Sequence, residues 1–238
     1  MTHFVLVHGG WHGAWCWEDQ VRELRARGHE ATAVDLPSDD VTAGAARYAE
    51  VIAAAVREPG RDVVVGHSLA GLAIPLVPDL TEVGALVFLA ALLPEPGRSW
   101  REQLAAGRPM ADWFYAEAMP EQGRDDQGRS TWPPDIAAEL FYHDCPRPVA
   151  ETAARRLRPQ SPAPIAEPTP LAAFPRVPMH YVACRGDRAV SGEWARRTAR
   201  ERLRVEVTWI DGSHSPFLAD PAGLADLLIS LTPPPEDR

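Results

Sequence analysis

Six short apolar runs recur along the chain, at residues 4–8, 31–35, 62–66, 85–90, 179–184 and 205–210. Each is β-branched or otherwise apolar, and Gly, Pro or Asp bounds it, which is the pattern of a buried strand. Helical patterns lie between them. Residues 17–27 place Val21 and Leu24 on one face and stop at Gly28, a natural C-cap. Residues 42–57 carry Ala46, Ala49, Ile52, Ala53 and Val56 at helical spacing, and 193–203 and 221–231 read similarly. Alternation of strand and helix predicts an α/β fold: a sheet of about six strands, mostly parallel, flanked by helices.

The rhythm breaks once. Between residues 95 and 174 there is no regular strand–helix alternation. Helical stretches at 100–117, 134–141 and 149–157 give way to a Pro-rich run at 159–178. A segment of about 80 residues buries little core by itself, so it is expected to be a helical lid inserted over one end of the sheet. The predicted organisation is a core domain in two parts, 1–94 and 175–238, interrupted by a cap at 95–174. The acidic, Pro-rich end at 231–238 is expected to be loose.

Composition narrows the function classes. Of 238 residues, 45% are hydrophobic and 24% charged, which excludes a disordered or collagen-like chain. The longest apolar run, 85–94, is about half of the roughly 18 residues that a membrane span needs. The N-terminus lacks a basic region followed by an apolar one, so a cytoplasmic location is expected. A net charge of −9 without a basic cluster argues against nucleic-acid and membrane partners. Cys16, Cys145 and Cys184 are far apart and form no redox or metal motif, so buried free thiols are expected. All 24 basic residues other than histidine are Arg, which excludes Schiff-base, P-loop and kinase lysine chemistry.

The candidate chemistry begins where the strand at 62–66 runs into Gly66-His67-Ser68-Leu69-Ala70-Gly71 and then an apolar helical pattern. A strand–sharp turn–helix context presents a serine at the carboxyl end of a sheet, where it can act as a nucleophile; as a bland alternative, Ser68 would be a helix N-cap. A serine hydroxyl needs a base. Of the eight histidines, His214 follows the last strand and so lies at the same end of the sheet as Ser68. His8 and His67 flank glycines and are placed to shape the site, while His29 and His180 read as structural. Asp187, after the strand at 179–184, is the candidate for orienting the imidazole, and Asp211 is its rival. The order Ser, Asp, His fits the hydrolase type that uses such a turn. Two backbone donors are expected for an oxyanion: the Leu69 N–H and the Gly10 N–H, the latter in Val7-His8-Gly9-Gly10-Trp11-His12-Gly13. That loop lacks the spacing of a dinucleotide turn. His8 and His12 have no third ligand to complete a metal site. No metal or cofactor is expected.

These segments resemble the α/β-hydrolase superfamily, and within it the group of small esterases, plant methylesterases and hydroxynitrile lyases. Val87-Phe88-Leu89-Ala90-Ala91 with Pro94, Arg185-Gly186-Asp187 and Gly212-Ser213-His214 add to the likeness. The resemblance implies a Ser68–His214–Asp187 triad with Gly10 and Leu69 as the oxyanion hole. Three departures stand out. Ala70 replaces the usual Gly of the nucleophile turn. Ser215 stands where the lyases carry a lysine after the histidine, and Gly10 where they carry a threonine. Ester hydrolysis is therefore favoured over cyanohydrin cleavage. The insertion is rich in large side chains: Trp100, Met110, Trp113, Phe114, Tyr115, Met119, Trp132, Leu140, Phe141 and Tyr142. Most are expected to pack the lid down. Trp11, His67, Trp113, Phe114, Trp132, Phe141 and His143 are the candidates to face a small or medium apolar ester. Arg98, Arg101 and Arg124 could hold a carboxylate, though exposed arginines on helices are usually solvated. Two other readings stay open: a lyase or cyclase using the triad as a proton shuttle, and a small-molecule receptor with weak turnover. A homodimer is left open.

Overall fold

The computed structural model describes residues 1–232. The expectation of a loose tail therefore falls largely outside the described residues. Six strands form one sheet: β1 (His3–Val7), β2 (Glu30–Val34), β3 (Val63–His67), β4 (Ala85–Leu89), then, after a small hairpin of β5 (Gly123–Arg124) and β6 (Ser130–Thr131), β7 (Met179–Cys184) and β8 (Val207–Ile210). The order across the sheet is β2-β1-β3-β4-β7-β8, and every neighbouring pair is parallel.

Strand periodicity explains why the sheet is covered on both sides. Val5, Val7, Val64, Leu86, Phe88 and Tyr181 face one apolar layer, while Phe4, Leu6, Val63, Val65, Val87 and Val182 face the other. Parallel strands buried on both faces read as continuous apolar runs, which is why these strands are visible in sequence. Burying each such side chain contributes on the order of 1.5–3 kcal/mol. Helix α1 (Glu18–Ala26) and helix α9 (Pro221–Ser230) pack on one face. Helices α2 (Ala45–Ala53) and α7 (Gly192–Thr198) pack on the other.

Several expected helices are shorter than their patterns. The apolar stretch after Ser68 forms two 3-10 segments, Ser68–Leu72 and Ile74–Asp79, because Pro75 and Pro78 lack the N–H groups that a longer helix needs. The pattern at 193–203 divides into α7 and a π-helical turn, Ala199–Leu203. Val205 lies outside β8.

Residues 95–174 leave the sheet between β4 and β7. They hold α3 (Trp100–Ala106), a π-helical turn (Phe114–Ala118), the hairpin, α4 (Pro134–Phe141), α5 (Arg147–Arg155) and α6 (Ala163–Ala166). The expected helix at 100–117 is broken by Gly107 and Pro109, and α3 stops at Ala106. A separate apolar cluster, including Trp132, Leu140, Phe141 and Tyr142, seats the insertion on the core. Helix α8 (Pro216–Ala219) closes the loop after β8. Cys16 and Cys184 are buried free thiols as expected, but Cys145 is only half-buried beside Asp144. No described helix is long and apolar enough to cross a membrane.

Candidate active site

Because the sheet is parallel, the segments after β1, β3, β7 and β8 emerge at one end. Ligands in such folds bind outside the carboxyl ends of strands. Ser68 is the first residue after β3 and has φ 51°, a left-handed conformation that a serine rarely adopts. The turn is anchored by its own carbonyl, which accepts from the Leu92 N–H at 2.9 Å. Close approach requires glycine at Gly9, where a Cβ would stand 2.8 Å from Ser68 Cβ and His67 Nδ1. Ala70 is fully buried in this turn, so the missing Gly leaves a methyl group that the packing absorbs.

Asp187 and His214 meet across the ends of β7 and β8. His214 Nδ1 lies 2.8 Å from Asp187 Oδ2, with side-chain exposures of 1% and 5%. The second carboxylate oxygen accepts the Ala189 and Val190 N–H groups at 2.7 and 2.9 Å. With every acceptor on Asp187 facing a donor, Nδ1 of His214 carries the proton and Nε2 is left with a lone pair. Asp211, the rival acid, is exposed and pairs with Arg185. Among the described hydrogen bonds none joins Ser68 Oγ to His214; such bonds often tighten only when substrate is bound.

His67 is placed differently from its sequence assignment as a substrate-facing residue. It is fully buried, and its Nε2 donates to the His214 carbonyl at 2.9 Å. The rings of His67 and His214 are 4.6 Å apart, and Trp17 and Phe217 close over His67. Burial, with His214 and His12 nearby, keeps its pKa well below the ordinary histidine value. It supports His214 from beneath as a neutral ring. His143 is half-buried, with Nε2 3.6 Å from the position of a Gly186 Cβ, against the acid loop. Burial lowers its pKa as well.

In the loop after β1 each carbonyl from Gly9 to Gly13 has a partner. Gly9 O accepts from His8 Nδ1 and Gly10 O from His12 Nδ1, both at 2.8 Å. Trp11 O accepts from the Arg158 N–H at 2.8 Å, His12 O from Arg158 Nε at 3.0 Å, and Gly13 O from the Cys16 N–H at 3.2 Å. In a trans peptide the C=O and N–H point in opposite directions, so holding Gly9 O at His8 aims the Gly10 N–H the other way. That N–H donates to no acceptor among the described residues. A Cβ on Gly10 would lie 3.6 Å from Leu69 Cδ1, so the side chain of the residue after Ser68 packs against this loop. The Leu36 N–H donates to His8 Nε2 at 3.0 Å, and the Tyr142 hydroxyl lies 2.7 Å from His12 Nε2. Both imidazoles are thus engaged by the protein at both nitrogens.

Four of the aromatic candidates form one group. Trp11 meets Trp132 edge-on at 5.3 Å and Phe141 at 5.8 Å; Phe114 meets Trp132 at 6.1 Å. Phe141 lies 5.7 Å from the His214 ring, so the group reaches from the loop after β1 to the histidine. Trp113 belongs to the same packed cluster and lies under the Arg188 guanidinium. A cavity of about 270 Å³ between α1 and α5, lined by Trp15, Val149, Arg156 and Leu218, includes none of the expected site residues.

The sequence did not single out Tyr142, Asp144, Arg158 and Gln160 as parts of the site. Asp144 Oδ2 accepts the Ser213 N–H at 2.7 Å, and Ser213 Oγ donates to Phe141 O at 3.0 Å. Gln160 Oε1 accepts the Trp11 N–H at 3.3 Å. Each works through contacts 69 to 149 residues away in the chain, which no local pattern reports.

The sequence model of the Alpha/beta hydrolase family matches residues 4–227. The chain is 32% identical to a probable esterase, PIR7A, of Oryza sativa subsp. indica, over 96% of each chain. It is 29% identical to norfluorocurarine synthase 2 of a Strychnos species, over 97% of this chain and 95% of that one. The structure of polyneuridine aldehyde esterase superposes with a TM-score of 0.79 at 23% identity, covering 97% of this chain and 99% of that chain.

Proposed function

The chain belongs to the α/β-hydrolase family, and from that premise we propose that it is a serine hydrolase cleaving a small or medium apolar carboxylic ester. One observation carries the reading: a buried Asp187–His214 pair shares the sheet end at which Ser68 sits on a left-handed turn. Asp187 holds the tautomer of His214 that leaves Nε2 free to act as base. His214 takes the Ser68 proton as Oγ attacks the ester carbonyl. The N–H groups of Gly10 and Leu69 stabilise the oxyanion of the tetrahedral intermediate. The alcohol departs with a proton from His214, and water then cleaves the acyl-enzyme by the same base catalysis. The aromatic group of Trp11, Phe114, Trp132 and Phe141 gives the acyl or alkyl part an apolar wall, and the insertion is its lid. The names of related plant esterases support an ester as substrate.

A second reading is favoured by the synthase among the relatives. In it His214 shuttles protons for a lyase or cyclase without an acyl-enzyme.

The test is turnover of a chain-length series of p-nitrophenyl esters by wild type and Ser68→Ala. Hydrolysis that is abolished in the variant is the expected result, and the best chain length measures the apolar wall. A folded wild type that turns over no ester, and whose Ser68 resists a fluorophosphonate probe, would overturn the reading in favour of the proton shuttle.

A further inference from the structure

We infer that Tyr142 and His12 are positioning residues for the oxyanion hole, the hydroxyl from the insertion acting through the imidazole on the peptide that follows Gly10. The inference rests on the esterase reading for the role of Gly10.

The chain of contacts fixes a proton at each step. The Gly10 carbonyl can only accept, so His12 Nδ1, 2.8 Å away, carries the hydrogen. His12 Nε2 then holds a lone pair, and the Tyr142 O–H, 2.7 Å away, donates to it. Both side chains are buried, His12 at 1% exposure and Tyr142 at 0%. Neither is therefore placed to replace its partner with bulk water. Without the hydroxyl the Gly10 carbonyl alone favours the Nδ1–H form, the buried Nε2 loses its donor, and the ring is held on one side only; the other tautomer would release the Gly10 carbonyl.

That release matters because of the loop's conformation. Gly10 has no side chain to hold it. Its N–H lies in the peptide plane held by His8, and His12 holds the next plane, which fixes the Gly10 Cα about which the first plane turns. The second plane leads into Trp11, whose φ is 64°, a conformation that a non-glycine residue avoids. Turning the Gly10–Trp11 peptide by about half a turn would return Trp11 to the ordinary negative-φ region. The His12 bond opposes that turn, together with the Gln160 and Arg158 contacts to Trp11. Tyr142 is the C-cap of α4, and its neighbours Phe141 and Asp144 bond to Ser213, next to His214. One turn of the insertion thus contacts both the loop carrying His214 and the loop carrying Gly10.

The experiment is a double-mutant cycle on the p-nitrophenyl ester that the wild type cleaves best. It uses Tyr142→Phe, His12→Asn and the double variant, each with its thermal midpoint. Tyr142→Phe is expected to lower kcat about tenfold with KM within about threefold of wild type, because loosening a donor's aim loses part of what removing the donor loses. Asn keeps an amide N–H where His12 had Nδ1–H but cannot switch tautomers. Adding Tyr142→Phe to His12→Asn is therefore expected to change kcat less than about twofold. The same loss in both backgrounds, or no loss in kcat, would overturn the inference in favour of simple packing. Two-bond ¹H–¹⁵N spectra, with His12 assigned by its absence in His12→Asn, supply a readout independent of turnover. The expected form is Nδ1–H. An Nε2–H tautomer in the wild type overturns the inference and leaves the esterase reading standing. An Nδ1–H spectrum with no ester turnover by wild type overturns the esterase reading, and the catalytic role of the contact falls with it.

Discussion

At Asp187 the proposed mechanism turns on a single atom's identity. Its Oδ1 receives two backbone N–H groups and its Oδ2 receives His214 Nδ1. An asparagine there must keep its oxygen on the two N–H groups, because its NH2 would otherwise face them donor to donor. The NH2 then faces His214 Nδ1, which has to become an acceptor. That moves the ring proton to Nε2, the nitrogen that should take the proton from Ser68. Asp187→Asn is therefore expected to lower kcat by on the order of 10⁴ while leaving the fold intact, as the loss of the correct tautomer does in serine hydrolases. The ester assay and a circular dichroism melt check the two halves of this statement. A loss below about tenfold would show that Ser68 does not depend on this tautomer. Asp187 itself was legible from its place between Ser68 and His214 in the chain. The two N–H groups that make asparagine the informative substitution were not, since they come from how residues 187–190 turn after β7.

Elements show where sequence patterning holds and where it yields to contacts made across the fold. Strands β1, β2, β3, β4 and β7 fall within about one residue of their apolar runs because both faces of the sheet are covered. The helix expected after Ser68 fails for a reason already visible in the sequence, Pro75 and Pro78. The turn at residues 141–144 fails differently. It follows α4 with nothing in its sequence to mark it, yet it reaches the loops carrying His12 and His214. Of the seven substrate-facing candidates, His67 was misplaced because a histidine beside a nucleophile can lie beneath the base as well as before the substrate. The grip of this turn on the His214 loop can be measured. Asp144 is exposed, so its carboxylate adds little to global stability, but it accepts the N–H of the residue preceding His214. Asp144→Ala is expected to lower kcat, and the rate at which a fluorophosphonate labels Ser68, about tenfold, the equivalent of one ordinary hydrogen bond lost from the reactive geometry. A fall in thermal midpoint with unchanged kcat would show that the contact holds the fold and not the base.

Taken as a whole, the molecule keeps neutral imidazoles close around its site, and this sets how its stability responds to acid. Burial lowers the His12 pKa to about 3, and burial with its histidine neighbours holds His67 well below its ordinary value. In the unfolded chain both return to about 6.5. Below that pH the unfolded state binds a proton at each ring and the folded state does not, so acid favours unfolding. The stability from each neutral ring is complete above about pH 6.5 and declines as the pH falls toward the folded value, with a slope of about 1.4 kcal/mol per pH unit per group. Ordinary carboxylates titrate mostly below about pH 4.5, so the window from 6.5 down to 4.5 isolates the imidazoles. Urea unfolding at pH 7.0, 5.5 and 4.5 is expected to show a declining free energy across that window. His29, His143 and His180 are shifted the same way and add to the wild-type slope; His12→Asn removes one ring from the linkage, so its slope is expected to be shallower by about one group's share. A wild-type slope that is flat from pH 6.5 to 4.5 would mean that the folded protein admits protons to these rings. The tautomers assigned to His12 and His67, and the carbonyl contacts that depend on them, would then have to be redrawn.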